Sequence, residues 1–166
     1  MKALLIGGTG PTGPHIIRGL LDRGYDVTML NRGSRDSDAI PPGVERLVGD
    51  PHFPDTLETV LGARNFDIAI ATYGRIRYVA EVLNTRTDRL ITIGGTPGYR
   101  GFADATANFP IGMPVPTVER AQLVESAAEG KFSHLVKSTE DAVMRQHADG
   151  NMNVTHFRYP VVYGPW

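Results

Sequence analysis

The sequence contains no cysteine, which excludes disulfide bonds, thiol catalysis and metal sites with cysteine ligands. It has no apolar run long enough to span a bilayer and no secretory signal pattern before its first apolar strand, so we expect no membrane segment and a cytoplasmic location. The formal net charge of −1 gives no support to nucleic-acid or membrane-surface binding through bulk positive charge. No solenoid repeat or low-complexity tract is found. The remaining composition, 41% hydrophobic over 166 residues, predicts one globular domain spanning residues 1–166.

The opening of the chain combines a short apolar strand, spaced glycines and a helix. Residues 3–6 are typical of a buried strand, and apolar residues recur at helical spacing after Gly13. The glycines between them fit either G-x-G-x-x-G or G-x-x-G-x-x-G, which let a pyrophosphate approach the backbone while the free N–H groups of the helix hold phosphates. We therefore predict that a dinucleotide binds to this turn, which comprises Gly7, Gly8, Thr9, Gly10, Pro11, Thr12 and Gly13.

The second predicted strand, residues 25–30, ends without the acidic residue that NAD-preferring sites place there. Asn31 and Arg32 follow it, with Ser34 and Arg35 close by. A guanidinium pairs with a 2′-phosphate through two donors, whereas a carboxylate would repel it. The sequence therefore predicts NADP as the cofactor in preference to NAD. The alternative interpretation is that these arginines are solvated loop charges.

The rest of the chain alternates between predicted strands and helices, which indicates an α/β domain with a doubly wound parallel sheet. Its ligand crevice is expected at the carboxyl ends of the strands, with the irregular segment 97–116 lying over it. Further strands are predicted at 45–48, 66–72, 89–93 and 153–157, and further helices at 55–61, 76–83, 117–129 and 133–147.

Taken together, these motifs resemble the short-chain dehydrogenase/reductase superfamily, in particular its extended and atypical branches, the NAD-dependent epimerase/dehydratase proteins. The resemblance covers the whole chain and implies a Rossmann fold. It implies that Asp50 contacts adenine and that the segment Ala71-Thr72-Tyr73 lines the adenosine. Residues 158–165 are similar to the family's R-P-x-x-V-Y-G-P, which implies a nicotinamide contact from Tyr159, Pro160, Val161 and Val162.

The catalytic residues of that family match this chain less well. The family uses a Ser or Thr after strand five, a Tyr, and a Lys four residues after the Tyr. The resemblance implies Thr96 and Lys137 for the first and last roles, but Ser133 stands at the tyrosine position, with His134 beside it. Because a serine hydroxyl does not replace a phenol, His134 or a tyrosine such as Tyr99 would have to transfer the proton, and His134 can equally be an ordinary helix histidine. We therefore expect cofactor binding with little turnover.

Family members of this type usually continue with another strand and a substrate-binding region, so the C-terminal substrate region is expected to be missing here. Strand six would then be an exposed edge, and the two helices before it are expected to form a four-helix interface in a homodimer. The sequence favours an NADP(H)-dependent oxidoreductase or epimerase acting on an unidentified small molecule. The alternative is a non-catalytic nucleotide-binding module that controls a partner, while an RNA-associated role gets little support from the charge balance.

Overall fold

The computed structural model describes residues 1–34, 38–72 and 74–160. Six parallel strands form one sheet in the spatial order β3-β2-β1-β4-β5-β6. Their bounds are β1 (Lys2–Ile6), β2 (Asp26–Asn31), β3 (Glu45–Val48), β4 (Ile68–Ala71), β5 (Arg89–Gly95) and β6 (Asn153–Tyr159). The helices are α1 (Gly13–Leu21), α2 (Pro54–Leu61), α3 (Ile76–Leu83) and α4 (Lys131–Ala148). The doubly wound parallel fold expected from the sequence is confirmed.

The sheet is buried on both faces around its central strand β1. Leu4 and Ile6 pack with α2, α3 and α4 on one face, while Ala3 and Leu5 pack with α1 on the other. All four side chains are fully buried. This explains why β1 is a continuous apolar run rather than an alternating one, as parallel strands covered on both sides usually are.

The prediction of a helix at 117–129 is wrong. Residues 122–124 instead run alongside residues 98–100, where Arg100 N donates to Gln122 O at 2.9 Å and Val124 N donates to Gly98 O at 3.0 Å. Tyr99 and Leu123 form an antiparallel bridge, and a single 3₁₀ turn follows at Ala127–Glu129. Val124 is buried through this pairing rather than on the face of a helix. An apolar pair such as 123–124 does not distinguish these two ways of burying it.

The segment after β5 is irregular, as predicted, with 3₁₀ turns at Thr96–Gly98 and Ala105–Ala107. α4 begins two residues before the predicted start at 133. None of the helices in the described part of the chain combines the length and apolar character needed to cross a bilayer.

Candidate functional site

A cavity of about 390 Å³ opens at the carboxyl ends of β1, β2 and β4. The glycine turn after β1 forms much of its wall, and the ends of the neighbouring strands form the rest. The described lining residues are Gly7, Gly8, Thr9, Gly10, Pro11, Thr12, Asn31, Arg32, Gly33, Ser34, Thr72 and Ile93. Most of the residues predicted to hold a cofactor's phosphates and adenosine therefore meet in one place.

The glycines of the turn differ in what surrounds them. Gly8 has a φ of +91°, a conformation that L side chains rarely adopt. Apart from Gly10 itself and its two chain neighbours, no described residue has an atom within 4 Å of a Cβ built on Gly10, so this position faces open space in the cavity. A Cβ on Gly13 would overlap the carbonyl group of Gly8, so Gly13 allows the start of α1 to pack against the turn. Gly10 can therefore admit a ligand close to the backbone, whereas Gly13 is required for packing.

The N-terminus of α1 completes this wall of the cavity. Thr12 is the N-cap residue, and its side chain makes no capping hydrogen bond to a described residue. Pro14 lies in the first turn, where a missing N–H costs little. Gly13 N already donates to Gly10 O at 3.1 Å and Pro14 has no N–H, so this end of α1 attracts an anion through the positive end of the helix dipole. Open space at Gly10 beside this helix start fits a dinucleotide pyrophosphate.

The end of β2 supplies polar and cationic groups to the same cavity. Asn31 Oδ1 accepts a hydrogen bond of 2.9 Å from Gly33 N, which turns the chain after the strand. Arg32 and Ser34 are exposed and line the cavity. No carboxylate is among its described lining residues. Arg35, which the sequence placed near this site, lies outside the described residues.

Asp50 follows β3 but is not among the described residues that line the cavity. Its Oδ1 accepts a hydrogen bond of 3.0 Å from His52 N and lies 2.7 Å from His52 Nδ1. These hydrogen bonds lower the pKa of Asp50, and the charge of Arg32 contributes to the same shift. The carboxylate is therefore ionised and near Arg32, and its contact with adenine stays a prediction.

At the end of β4, Ala71 is fully buried and Thr72 reaches the cavity. Thr72 bonds twice to the carbonyl of Ile6, through its N–H at 3.0 Å and through its hydroxyl at 3.1 Å. These two hydrogen bonds fix the point where β1 and β4 end together. Tyr73 lies outside the described residues.

A second cavity, of about 530 Å³, lies at the carboxyl ends of β5 and β6. It brings together Thr96, Tyr159 and Pro160, which the sequence assigns to the nicotinamide end. Its other described lining residues are Tyr99, Met113, Thr117, Glu119, His156, Phe157 and Arg158. Val161 and Val162 lie outside the described residues.

The three predicted catalytic residues on α4 do not line either of these cavities in the described part of the chain. Lys137 Nζ lies 2.6 Å from Asp141 Oδ2, one helical turn away. The Ser133 side chain is fully buried, and its hydroxyl has no hydrogen-bond partner among the described residues. His134 is half-buried. The backbone of α4 nevertheless passes close to the turn that carries Thr96, because a Cβ on Gly98 would lie 3.8 Å from Lys137 N.

The sequence interpretation missed the polar cluster behind the second cavity. Arg158 forms a bidentate pair with Glu140 of α4, at 2.8 Å from Nε to Oε2 and 2.5 Å from Nη2 to Oε1. Arg158 Nη1 also donates to the Tyr99 hydroxyl at 3.0 Å. The buried His156 ring lies beside them, with Nε2 3.6 Å from Glu140 Oε2. The available signal was a charged residue near the end of a predicted strand, because a charge placed there requires a partner.

No protein-family model matches the chain. Over 62 residues, or 37% of the chain, it is 44% identical to the photosystem II assembly factor Ycf39 of Guillardia theta, a segment that is 20% of that protein.

Solved structures match almost the whole chain. UDP-glucose 4-epimerase from Thermotoga maritima, solved with UDP-glucose, superimposes with a TM-score of 0.77 at 16% identity over 99% of this chain and 57% of that one. The Bordetella bronchiseptica enzyme WbmG, in complex with NAD, gives a TM-score of 0.72 at 14% identity over 95% of this chain and 52% of that one. UDP-glucose 4-epimerase from Thermus thermophilus, also in complex with NAD, gives a TM-score of 0.73 at 17% identity over 99% of this chain and 57% of that one.

The chain thus spans about half the length of these solved structures, and one fifth of the curated relative. At such identities the likeness shows the fold, which is the Rossmann fold of the epimerases. The fold implied by the resemblance to NAD-dependent epimerase/dehydratase proteins is confirmed.

Proposed function

We propose that this chain binds a nicotinamide dinucleotide, NADP(H) in preference to NAD(H), as the cofactor-binding domain of an oxidoreductase or epimerase. The observation that carries the proposal is the cavity at the ends of β1, β2 and β4, whose lining includes an open glycine position, the N-cap residue of α1 and Arg32. Such a lining is complementary to a pyrophosphate and to a further phosphate on the ribose. When bound, the cofactor would supply or accept a hydride at nicotinamide C4.

The residues of the chain would divide the binding between two ends. The turn around Gly10 and the start of α1 would hold the pyrophosphate, and Arg32 with Ser34 would hold the 2′-phosphate. Thr96, Tyr159 and Pro160 line the cavity proposed for the nicotinamide. The solved structures of WbmG and of the Thermus thermophilus epimerase contain NAD. The preference for NADP(H) therefore rests on the charges at the end of β2 alone.

Calorimetric titration of the chain with NADPH, NADH and 2′,5′-ADP tests this proposal. We expect NADPH and 2′,5′-ADP to bind and NADH to bind more weakly. If none of the three binds, the cavity is not a dinucleotide site. If NADH binds as tightly as NADPH, the assignment of Arg32 is wrong.

A second candidate function is a nucleotide-binding module that controls a partner and catalyses nothing. It is favoured by the buried Ser133 hydroxyl at the position where the family has its tyrosine, and by the ion pair that engages Lys137. The two candidates differ in turnover rather than in cofactor binding. Steady-state oxidation of NADPH with a panel of carbonyl substrates distinguishes them.

A further inference from the structure

The Arg158 guanidinium connects three segments at the carboxyl ends of β5 and β6. Its Nε and Nη2 groups donate to the two carboxylate oxygens of Glu140, at 2.8 and 2.5 Å. Its Nη1 group donates to the Tyr99 hydroxyl at 3.0 Å and to the carbonyl of Glu119 at 2.7 Å. One side chain on β6 is therefore bonded to α4 and, twice, to the segment that follows β5.

Three residues of this cluster are close in sequence to residues assigned to the nicotinamide end. Tyr99 is three residues after Thr96, and Glu140 is three residues after Lys137. Arg158 directly precedes Tyr159 in β6. The guanidinium thus fixes the relative positions of three segments that are far apart in the chain.

The geometry of this cluster makes it stiff. A bidentate guanidinium–carboxylate pair defines orientation as well as distance. The side chains are largely shielded, with 19% of Arg158 and 15% of Glu140 exposed. The Tyr99 ring is buried and stacks on the guanidinium, whose Cζ lies 5.0 Å from the ring centroid. Such contacts permit little relative movement of the segments that carry them.

His156 packs between the cluster and β5. His156 Nδ1 lies 2.7 Å from the Thr92 hydroxyl of β5, and a Cβ on Gly94 would overlap the His156 ring. The ring therefore fills the space between β5 and the Glu140 carboxylate. Hydrogen bonds to Glu140 raise the pKa of Arg158 above its ordinary value, so the guanidinium is charged at neutral pH.

We infer that Arg158 is a positioning residue for the nicotinamide end of the cofactor site, acting through Tyr99 and Glu140. This inference rests on the proposed function. The described lining of the glycine-turn cavity includes none of these three residues. The two ends of the site are therefore held by separate sets of contacts, and loosening the cluster should disturb the nicotinamide end alone.

The test compares two ligands that differ in whether they carry the nicotinamide half. NADPH and 2′,5′-ADP are titrated into the full chain and into two variants, Tyr99→Phe and Arg158→Lys. Tyr99→Phe removes one hydroxyl and keeps the stacked ring, and Arg158→Lys keeps the charge but loses the bidentate fork. We expect NADPH affinity to fall by about tenfold in each variant while the affinity for 2′,5′-ADP changes by less than about twofold. The emission of bound NADPH, which reports the surroundings of the nicotinamide ring, should also change.

Arg64→Lys is the matched control, because Arg64 forms a more exposed pair with Glu45 at 3.2 Å, close to the amino end of β4. It should leave both affinities and the emission unchanged.

An equal loss of affinity for both ligands in Tyr99→Phe would show a general structural role and overturn the inference, as would unchanged NADPH binding and emission. If Arg158→Lys fails to fold, Tyr99→Phe alone decides. Failure of the unmodified chain to bind 2′,5′-ADP would refute the proposed function itself, and the inference with it. If the unmodified chain binds 2′,5′-ADP, but binds NADPH no more tightly than 2′,5′-ADP and without a change in NADPH emission, the inference alone is refuted.

Discussion

A Cβ on Gly13 would overlap the carbonyl group of Gly8, whereas one on Gly10 would meet no described atom within 4 Å beyond Gly10 itself and its two chain neighbours. The two glycines therefore have separable roles. Gly10→Val should fold normally and lose cofactor binding, because the new side chain would fill the space proposed for the pyrophosphate. Gly13→Ala should lower the free energy of unfolding by about 1–3 kcal/mol, because the start of α1 must move away from the turn. Urea unfolding and NADPH titration of both variants check this pair, and a Gly10→Val variant that binds normally would contradict it.

Removal of the charge at the end of β2 should reduce the preference for NADP(H). Arg32→Ala is expected to weaken NADPH binding by about tenfold or more and leave NADH binding unchanged, because a charge-assisted bidentate contact contributes about 1.5–3 kcal/mol. Arg64→Ala removes an equal charge close to the amino end of β4 and serves as the control. Calorimetry with both cofactors measures the difference. An Arg32→Ala variant that keeps its preference would exclude this residue as the 2′-phosphate ligand.

His156 should make the fold less stable in mild acid. Burial lowers the pKa of this histidine below its ordinary value of 6.5, with the Arg158 charge acting in the same direction and Glu140 opposing it. As the pH falls below about 6.5, the unfolded state takes up a proton that the folded state does not, so the free energy of unfolding decreases, by at most about 1.4 kcal/mol per pH unit. The free energy of unfolding stops decreasing once the pH reaches the pKa of His156 in the folded state. Above 6.5 the protonation of this residue has no effect on stability.

Urea midpoints at pH 7.5 and 5.5 for the unmodified chain and for His156→Gln check this prediction; both values are about a pH unit from the histidine reference. Every group other than residue 156 is common to both proteins, so only the difference between the two slopes reports on His156. The variant should show the smaller loss on acidification. Asp50 does not interfere. Because its pKa is lowered from 3.8 in the folded state, the stability that it contributes is lost only in more acidic solution, below 3.8. Parallel slopes would contradict the burial of a neutral imidazole.

Lys137→Ala should weaken cofactor binding without removing a measurable rate. Its ammonium is expected to bond the nicotinamide ribose, and to do so it must leave the pairing with Asp141, in which Nζ lies 2.6 Å from Oδ2. The chain should show little or no turnover with common sugar-nucleotide, ketone or alcohol substrates, because a well-placed general acid contributes about 10²–10⁴ in rate and Ser133 does not supply one. NADPH absorbance during incubation with such substrates measures the rate. Robust oxidation that disappears in Ser133→Ala would restore a conventional active site.

Self-association remains a prediction, with a changed geometry. One of the two helices expected to form the dimer, at 117–129, is not a helix, but α4 still exposes 64% of Phe132 and 50% of Leu135. β6 has no neighbour on its outer side among the described strands, and it exposes 45% of Phe157. Light scattering should therefore report a species larger than a monomer. Phe132→Glu and Phe157→Glu test the two surfaces separately, and a monomeric unmodified chain would exclude both.

Much of the fold was predictable because it depends on local patterns. Periodicity and glycine spacing are local, so they located β1, α1, α3 and the turn between residues 6 and 13. The pairing of residues 122–124 with residues 98–100 depends on hydrogen bonds between segments about 24 residues apart, and no local pattern signals them. The same holds for Arg158, whose contacts with Tyr99 and Glu140 exist only after β6 has joined the sheet. The sequence located the phosphate-binding turn and missed the cluster that supports the opposite end.

The strand order has a consequence for the moment at which the cofactor site can first form. β1 lies between β2 and β4, and its residue Ala3 pairs with Ile68. During synthesis the glycine turn leaves the ribosome early, but Thr72, which bonds to Ile6 and closes the cavity, leaves much later. Pairing between such distant segments is slow, because the entropy of closing the intervening loop must be overcome first. The nascent chain therefore exposes one unpaired edge of its apolar central strand until β4 arrives. Chaperone binding or aggregation should be most frequent during that interval.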